Sequence, residues 1–165
     1  MGIEYTSEQK LDAKDKKIIS ALMENARYSI TEIAKKTGLR RDSVIYRIKK
    51  LSENKVIKGY QPIINPPALG YPNLAIILLK TKTINQKAKQ DFINKIKSLP
   101  NVIHIFTLLG RFEYYLAVLY KTHEQLHLLL EEIRQIIPDY VQDYDILQVV
   151  DEPKFENMIG IVMEK

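Results

Sequence analysis

The feature that most constrains the fold is a proline-rich segment between two differently patterned halves. Residues 59–72 hold four of the seven prolines of this 165-residue chain, and two of its six glycines. Proline fixes φ and restrains the residue before it, so we expect an extended, fairly stiff connector. The chain is therefore divided into a domain over residues 1–60, a connector over 61–72, a second domain over 73–151 and a tail over 152–165.

Composition excludes several classes of protein. The chain is 45% hydrophobic and 27% charged, which is normal for a globular protein and unlike a disordered one. It has no cysteine, which excludes disulfides, thiolate zinc sites and a cysteine nucleophile. The first residues lack the apolar stretch of a signal peptide, and no apolar run is long enough to span a membrane. We expect a cytoplasmic protein without membrane contact.

Charge is unevenly distributed along the chain. Residues up to Asn65 carry a net charge of +6, and the remainder carries −1. A basic module joined to a near-neutral domain is typical of proteins that bind a polyanion. The alternative explanation is a solvated lysine-rich surface.

The residues before the connector have helical spacing and predict three helices. Asp12 is the expected N-cap of the first helix, Ser29 and Glu32 form a capping box for the second, and Gly38 ends the second. Only two residues then precede the third helix, so the last two helices cross steeply, as in a helix-turn-helix. Two short β-like runs, at 56–60 and 63–64, predict a hairpin that would form a wing.

After the connector, the spacing alternates between strand-like and helix-like segments in the order β-α-β-β-α-β. This order predicts a ferredoxin-like α+β domain. Two of its strands, at 75–79 and 115–119, are apolar at every position, so both faces of the sheet should be covered. The two helices cover one face, and we expect a second subunit to cover the other. The alternative cover is the N-terminal domain of the same chain.

The third helix is the candidate DNA-reading element. Val44, Ile48 and Leu51 form its buried stripe, which leaves mostly polar side chains facing outward. Arginine can contact guanine, while lysine, serine and tyrosine can contact phosphate. The candidate DNA-binding residues at or near this outward face are Arg40, Arg41, Asp42, Ser43, Tyr46, Arg47, Lys49 and Lys50.

Two arginines break a local rule at the start of this helix. Arg40 stands where an N-cap serine, threonine or aspartate is expected, and Arg41 follows it. Each places positive charge at the positive end of the helix dipole, which costs about 0.3–1 kcal/mol. Phosphates would offset this cost, whereas a surface helix that simply tolerates the charges is the alternative.

These motifs resemble the leucine-responsive regulatory protein/AsnC (Lrp/AsnC) family of transcriptional regulators. The resemblance rests on residues along nearly the whole chain: Leu11-Asp12, Asp15, Ile18, Leu22, Asn25-Ala26-Arg27, Ile33-Ala34, Gly38-Leu39, Val44, Arg47-Ile48, Leu51, Val56-Ile57-Lys58-Gly59-Tyr60 and Gly110-Arg111-Phe112-Glu113-Tyr114. It implies a winged helix-turn-helix that binds double-stranded DNA, joined to a ligand-sensing (RAM-type) domain. It also implies homodimers through the C-terminal sheet, which often assemble into tetramers or octamers.

The resemblance further implies a small-molecule effector, commonly an amino acid, bound between subunits. The residues at the matching positions are Gly110, Arg111, Glu113 and Asp145. Arg111 and Glu113 stand where the family usually has aspartate, so the ammonium group of an effector would meet a different charge pattern. A regulator that organises DNA without an effector is the alternative.

Other functions find less support in the sequence. No phosphate loop, nucleophile elbow or paired-carboxylate motif is present, and His123 and His127 share a helix face without a third metal ligand. We therefore expect no enzymatic activity, cofactor or metal. A metabolite-sensing oligomer without strong DNA binding is a further alternative, and RNA binding is disfavoured because the basic half lacks a stacking platform. The expected location is the cytoplasm, on the nucleoid.

Overall fold

A computed structural model describes residues 8–164 of the chain. The first seven residues lie outside the described part of the chain. The predicted start of the N-terminal domain and the expectation of no signal peptide concern these residues. In chain order the elements are α1 Ala13–Glu24, α2 Ile30–Thr37, α3 Arg41–Glu53, β1 Asn73–Thr81, α4 Gln86–Ser98, β2 Val102–Thr107, β3 Tyr114–Tyr120, α5 His123–Ile136, β4 Val141–Gln148 and α6 Ile159–Met163.

The chain folds into two compact units. One ends at Pro62 and also includes the residues from Lys154 onward, and the other is Ile63–Pro153. The tail from Lys154 thus belongs to the helical unit, because α6 contacts α1 and the Val162 side chain packs against the helical core. Nothing in the sequence pattern of the tail indicated this.

The helical unit is a helix-turn-helix whose predicted caps are all formed. The Asp12 carboxylate accepts the amide N–H groups of Lys14 and Asp15, both at 2.8 Å. Ser29 and Glu32 form the reciprocal capping box at the start of α2. Gly38 ends α2 with φ 73°, a left-handed conformation that glycine adopts without steric cost. These caps fix where each helix begins and ends, and so where α3 points.

The prediction of two wing strands, at 56–60 and 63–64, is wrong. Residues 56–65 contain no strand. The backbone N–H groups of Val56 and Ile57 both donate to the Leu51 carbonyl, at 2.9 and 3.1 Å, after Lys55 takes a left-handed φ of 58°. This bonding folds the chain back onto the end of α3. Pro62, which lacks an N–H group, further disfavours a ladder here.

The second unit is the predicted ferredoxin-like βαββαβ fold. Its four strands are antiparallel in the order β2-β3-β1-β4. Helices α4 and α5 cover one face, where Phe92 and Ile133 pack against Ile77 and Leu116 of the sheet. The α+β class and the element order expected from the sequence are confirmed.

The other face of the sheet, here called the outer face, is apolar at its centre and carries no helix in this unit. Two rows of cross-strand neighbours define it: His104-Ala117-Ile76-Leu147 and Phe106-Tyr115-Leu78-Asp145. The Phe106 and Leu147 side chains are exposed, and the Phe106 ring lies 5.4 Å from that of Tyr115. An apolar surface of this kind marks an interaction site.

Candidate nucleic-acid interface and effector region

The start of α3 is exposed and carries two positively charged side chains. Arg40 occupies the N-cap position with extended backbone, and its side chain makes no capping hydrogen bond. Arg40, Arg41 and Asp42 are all exposed. The backbone amides at the start of α3 and the two arginine side chains therefore lie together at one exposed helix end. This arrangement favours binding of a phosphate group.

The outward face of α3 continues this polar surface. Tyr46 is 66% exposed, Lys49 and Lys50 are exposed, and Ser43 is half-buried. The Lys49 ammonium lies 3.8 Å from the Glu53 carboxylate, an exposed pair whose contribution to stability is small. We call Arg40, Arg41, Asp42, Tyr46, Lys49 and Lys50 the α3 surface. All six are residues that the sequence predicted to contact DNA.

Arg47 is placed differently from the other candidates. Its Nη1 atom lies 2.6 Å from Oδ1 of Asp15 and 2.8 Å from Oδ2 of Asp12, and its side chain is only 19% exposed. The guanidinium therefore ties α3 to the start of α1. The role of Arg47 as a DNA contact stays a prediction, and the contacts that the structure gives it are with two carboxylates of the protein itself.

The hydrogen bonds at the start of α1 also change the pKa of the Asp12 carboxyl group. Its pKa is lowered from 3.8, mainly by the hydrogen bond from the Asp15 amide and also by the Arg47 guanidinium. Asp12 thus serves both as helix cap and as ion-pair partner, which links helix initiation to the orientation of α3.

Ile45 is a side chain that the sequence reasoning missed. It lies on α3 beside Asp42 and Lys49, it is 50% exposed, and it is not part of the helical core. It was not predicted to contact DNA because the predicted contacts were all polar or charged side chains. Its position outside the Val44, Ile48 and Leu51 stripe was the available signal.

The predicted effector residues gather partly at the turn between β2 and β3. The Leu108 amide donates to the Glu113 carbonyl at 2.8 Å and closes this turn. Gly110 has φ 154°, which L-residues rarely adopt, and the Arg111 guanidinium lies 5.1 Å from the centroid of the Phe112 ring. Leu109 is fully exposed at the tip.

Glu113 faces a small cavity next to this turn. Its Oε2 atom accepts the Thr81 amide at 2.7 Å, which anchors the carboxylate at the end of β1. The cavity is about 200 Å³ and is lined by Thr81, Lys82, Thr83, Ile84, Lys89, Glu113, Tyr114 and Tyr140. Burial and a hydrogen bond with Tyr140 raise the pKa of Tyr114, so its hydroxyl stays neutral. The cavity thus combines a carboxylate, two ammonium groups and neutral hydroxyls.

Asp145 does not join Glu113 within one chain. It pairs with Leu78 on the far side of β1, on the outer face, whereas Glu113 precedes β3. Two strand spacings, about 10 Å, therefore separate their backbones. The sequence prediction grouped these residues, and the fold places them in different surroundings.

Within residues 8–164, no three histidine, aspartate or glutamate side chains are close enough to hold a metal ion. The helices of this part of the chain are also too short or too polar to cross a membrane.

Comparison with known protein families matches two domains in this chain. Residues 11–52 match the AsnC-type helix-turn-helix domain, and residues 74–159 match the Lrp/AsnC ligand binding domain. The chain is 33% identical over 126 residues to the HTH-type transcriptional regulator FL11 of Pyrococcus furiosus, covering 76% of this chain and 82% of that protein. It is 32% identical over 108 residues to the proline dehydrogenase transcriptional activator of Rhodobacter capsulatus, covering 66% and 70%.

Solved structures show the same architecture. AsnC of E. coli superimposes with a TM-score of 0.79 at 25% identity, covering 92% of this chain and 99% of that one. A regulator from Neisseria meningitidis, solved as a complex with L-Met, superimposes with a TM-score of 0.79 at 24% identity, covering 88% and 94%. Two matched domains in this order, on a helix-turn-helix and a ferredoxin-like sheet, establish that the chain belongs to the Lrp/AsnC family of transcriptional regulators.

Proposed function

We propose that this regulator binds duplex DNA in pairs, with the α3 surface of each chain in a major groove. The observation that carries the proposal is the exposed cationic start of α3, where the Arg40 side chain makes no capping hydrogen bond and the Arg41 side chain is exposed. In a helix-turn-helix, the second helix reads base edges mainly through its N-terminal residues. Arg41 and Lys50 supply phosphate or guanine contacts, and Tyr46 supplies a base contact.

The outer face of the sheet supports the proposed pairing. Ile76, Leu78 and Ala117 form an apolar centre that α4 and α5 do not cover. A second copy of the same sheet would bury this centre and give a two-fold dimer, which can assemble further. Two α3 surfaces related by two-fold symmetry require half-sites about one helical turn apart. Such a protein works on the chromosome, so we place it in the cytoplasm, on the nucleoid.

Substituting the cations of the α3 surface tests the DNA contact. We expect Arg41→Ala and Lys50→Ala each to weaken binding and to reduce the slope of log affinity against log salt by about one, because each removes one phosphate contact. Fluorescence anisotropy across a salt series measures both quantities. Lys95→Ala, an exposed lysine of α4, is the matched control and should change neither. Unchanged slopes in both α3 variants would remove this helix from the interface.

We further propose that a small zwitterion such as an amino acid binds near the β2–β3 turn. The cavity beside Glu113 offers a carboxylate for an ammonium group, and Lys82 and Lys89 for a carboxylate. The Neisseria meningitidis regulator, which shares this fold, was solved with L-Met. The two proposals are independent, because a chain that binds DNA without an effector satisfies the first alone.

Gly110 tests the effector proposal. We expect Gly110→Ala to weaken amino-acid binding at least about tenfold, because a side chain strains the backbone at φ 154°. Titration calorimetry with each of the protein amino acids gives the affinities, and light scattering should show that dimers persist. Gly160→Ala is the control, since its Cβ meets open space at an ordinary φ. Absence of binding to the unmodified protein, or equal binding by Gly110→Ala, contradicts the proposal.

A further inference from the structure

Ile45 is an aliphatic side chain on the DNA-facing side of α3. It lies outside the buried stripe, is 50% exposed, and packs in neither core cluster of the described chain. Its helix neighbours three and four positions away are Asp42 and Lys49, both exposed. Ile45 is thus an exposed apolar side chain beside the polar residues of the α3 surface.

The location of Ile45 along α3 also matters. It is the fifth residue of the helix, in the half that a helix-turn-helix places against base edges. Arg40 and Arg41 precede it by one turn and supply the positive charge that brings phosphates close. A β-branched side chain is stiff at χ1, so Ile45 presents its methyl groups in nearly one orientation.

Duplex DNA offers one apolar group in the major groove, the C5 methyl of thymine. Isoleucine has no hydrogen-bonding group, so it cannot contribute to recognition of guanine or adenine through their polar edges. We propose that Ile45 is a specificity-determining residue that contacts a thymine methyl in each half-site. This inference rests on the proposed DNA-binding function and adds to it the base that one position selects.

The test removes the methyl from the DNA and the side chain from the protein. A duplex is first selected from a random-sequence library by the unmodified 165-residue chain. Each thymine is then replaced, one at a time, by deoxyuridine, which lacks only the C5 methyl. We expect about fourfold weaker binding at one thymine of each half-site, the ratio for losing one buried methyl group. At all other thymines the affinity should be unchanged.

The protein variants complete the cycle. Ile45→Ala should bind the thymine and deoxyuridine duplexes equally, whereas Ile45→Val should keep most of the discrimination. Both changes are at an exposed helix position, and alanine favours the helix, so both variants should fold. Ile161→Ala, an isoleucine of α6 with 70% exposure, is the matched control and should discriminate like the unmodified protein.

The possible results distinguish failure of the Ile45 inference from failure of the proposed DNA-binding function. Selective DNA binding that no deoxyuridine substitution weakens, or undiminished discrimination by Ile45→Ala, overturns this inference alone. Failure to select any duplex overturns the proposed function and this inference with it.

Discussion

Replacing Ile76 with glutamate is expected to convert dimers into monomers and to abolish tight binding to DNA with two half-sites. Ile76 lies between Ala117 and Leu147 at the centre of the outer face. A dimer would bury the new carboxylate without a cationic partner, and an uncompensated buried charge costs about 3–5 kcal/mol. The dissociation constant of the dimer should therefore rise by about 100-fold or more.

Light scattering over a concentration series measures this change, and anisotropy measures DNA affinity on the same samples. The matched control is Leu128→Glu, which introduces the same charge at a 62%-exposed position of α5 and should remain dimeric. Circular dichroism should show that both variants keep their secondary structure. A dimer that survives Ile76→Glu unchanged would place the contact between subunits elsewhere.

The second large effect, a loss of folding stability, is expected when Arg47 is substituted. Substitution by alanine should lower the free energy of unfolding of the helical unit by about 2–4 kcal/mol, because the Asp15 side chain is only 9% exposed and would lose its ion pair with Arg47. Arg41→Ala is the control, since Arg41 is exposed and its loss should not destabilise the unit, and should raise stability by up to about 1 kcal/mol by removing a positive charge from the start of α3. Urea unfolding monitored by circular dichroism gives both values.

A double-mutant cycle identifies the interaction. Asp15→Asn combined with Arg47→Ala should cost less than the sum of the single changes, because the second change removes an interaction that is already broken. Additive effects, or normal stability of Arg47→Ala together with weakened DNA binding, would instead support Arg47 as a DNA contact.

Acid should weaken the same cluster. The pKa of Asp12 is lowered from 3.8 in the folded chain, so its ionised form favours folding. That stabilisation is complete above the unfolded value and is lost as pH falls below about 4. The urea midpoint of the unmodified protein should decline in this range, and Arg47→Ala should show a smaller decline because one source of the shift is gone.

Local signals explain what the sequence predicted well. The caps at Asp12, Ser29 and Gly38 act through residues within four positions, so their chemistry is readable in the chain. The apolar runs at 75–79 and 115–119 likewise report a sheet with two apolar faces.

The features that the sequence did not reveal involve contacts between distant residues or competition between local ones. Arg47 was assigned by its angle on α3, but its partners Asp12 and Asp15 lie more than 30 positions earlier. The 56–60 run has strand-like composition, yet its first amides bond to the end of α3 instead. Docking of α6 on α1 depends on a contact that no periodic pattern reveals.

The number of chains on one duplex tests the central claim most directly. Light scattering coupled to size-exclusion chromatography should be applied to the protein saturated with a selected duplex that carries two half-sites. We predict two chains per duplex, or a multiple of two, because the proposed pairing of the outer faces would bring two α3 surfaces to one duplex. A saturated complex with a single chain per duplex would contradict the account.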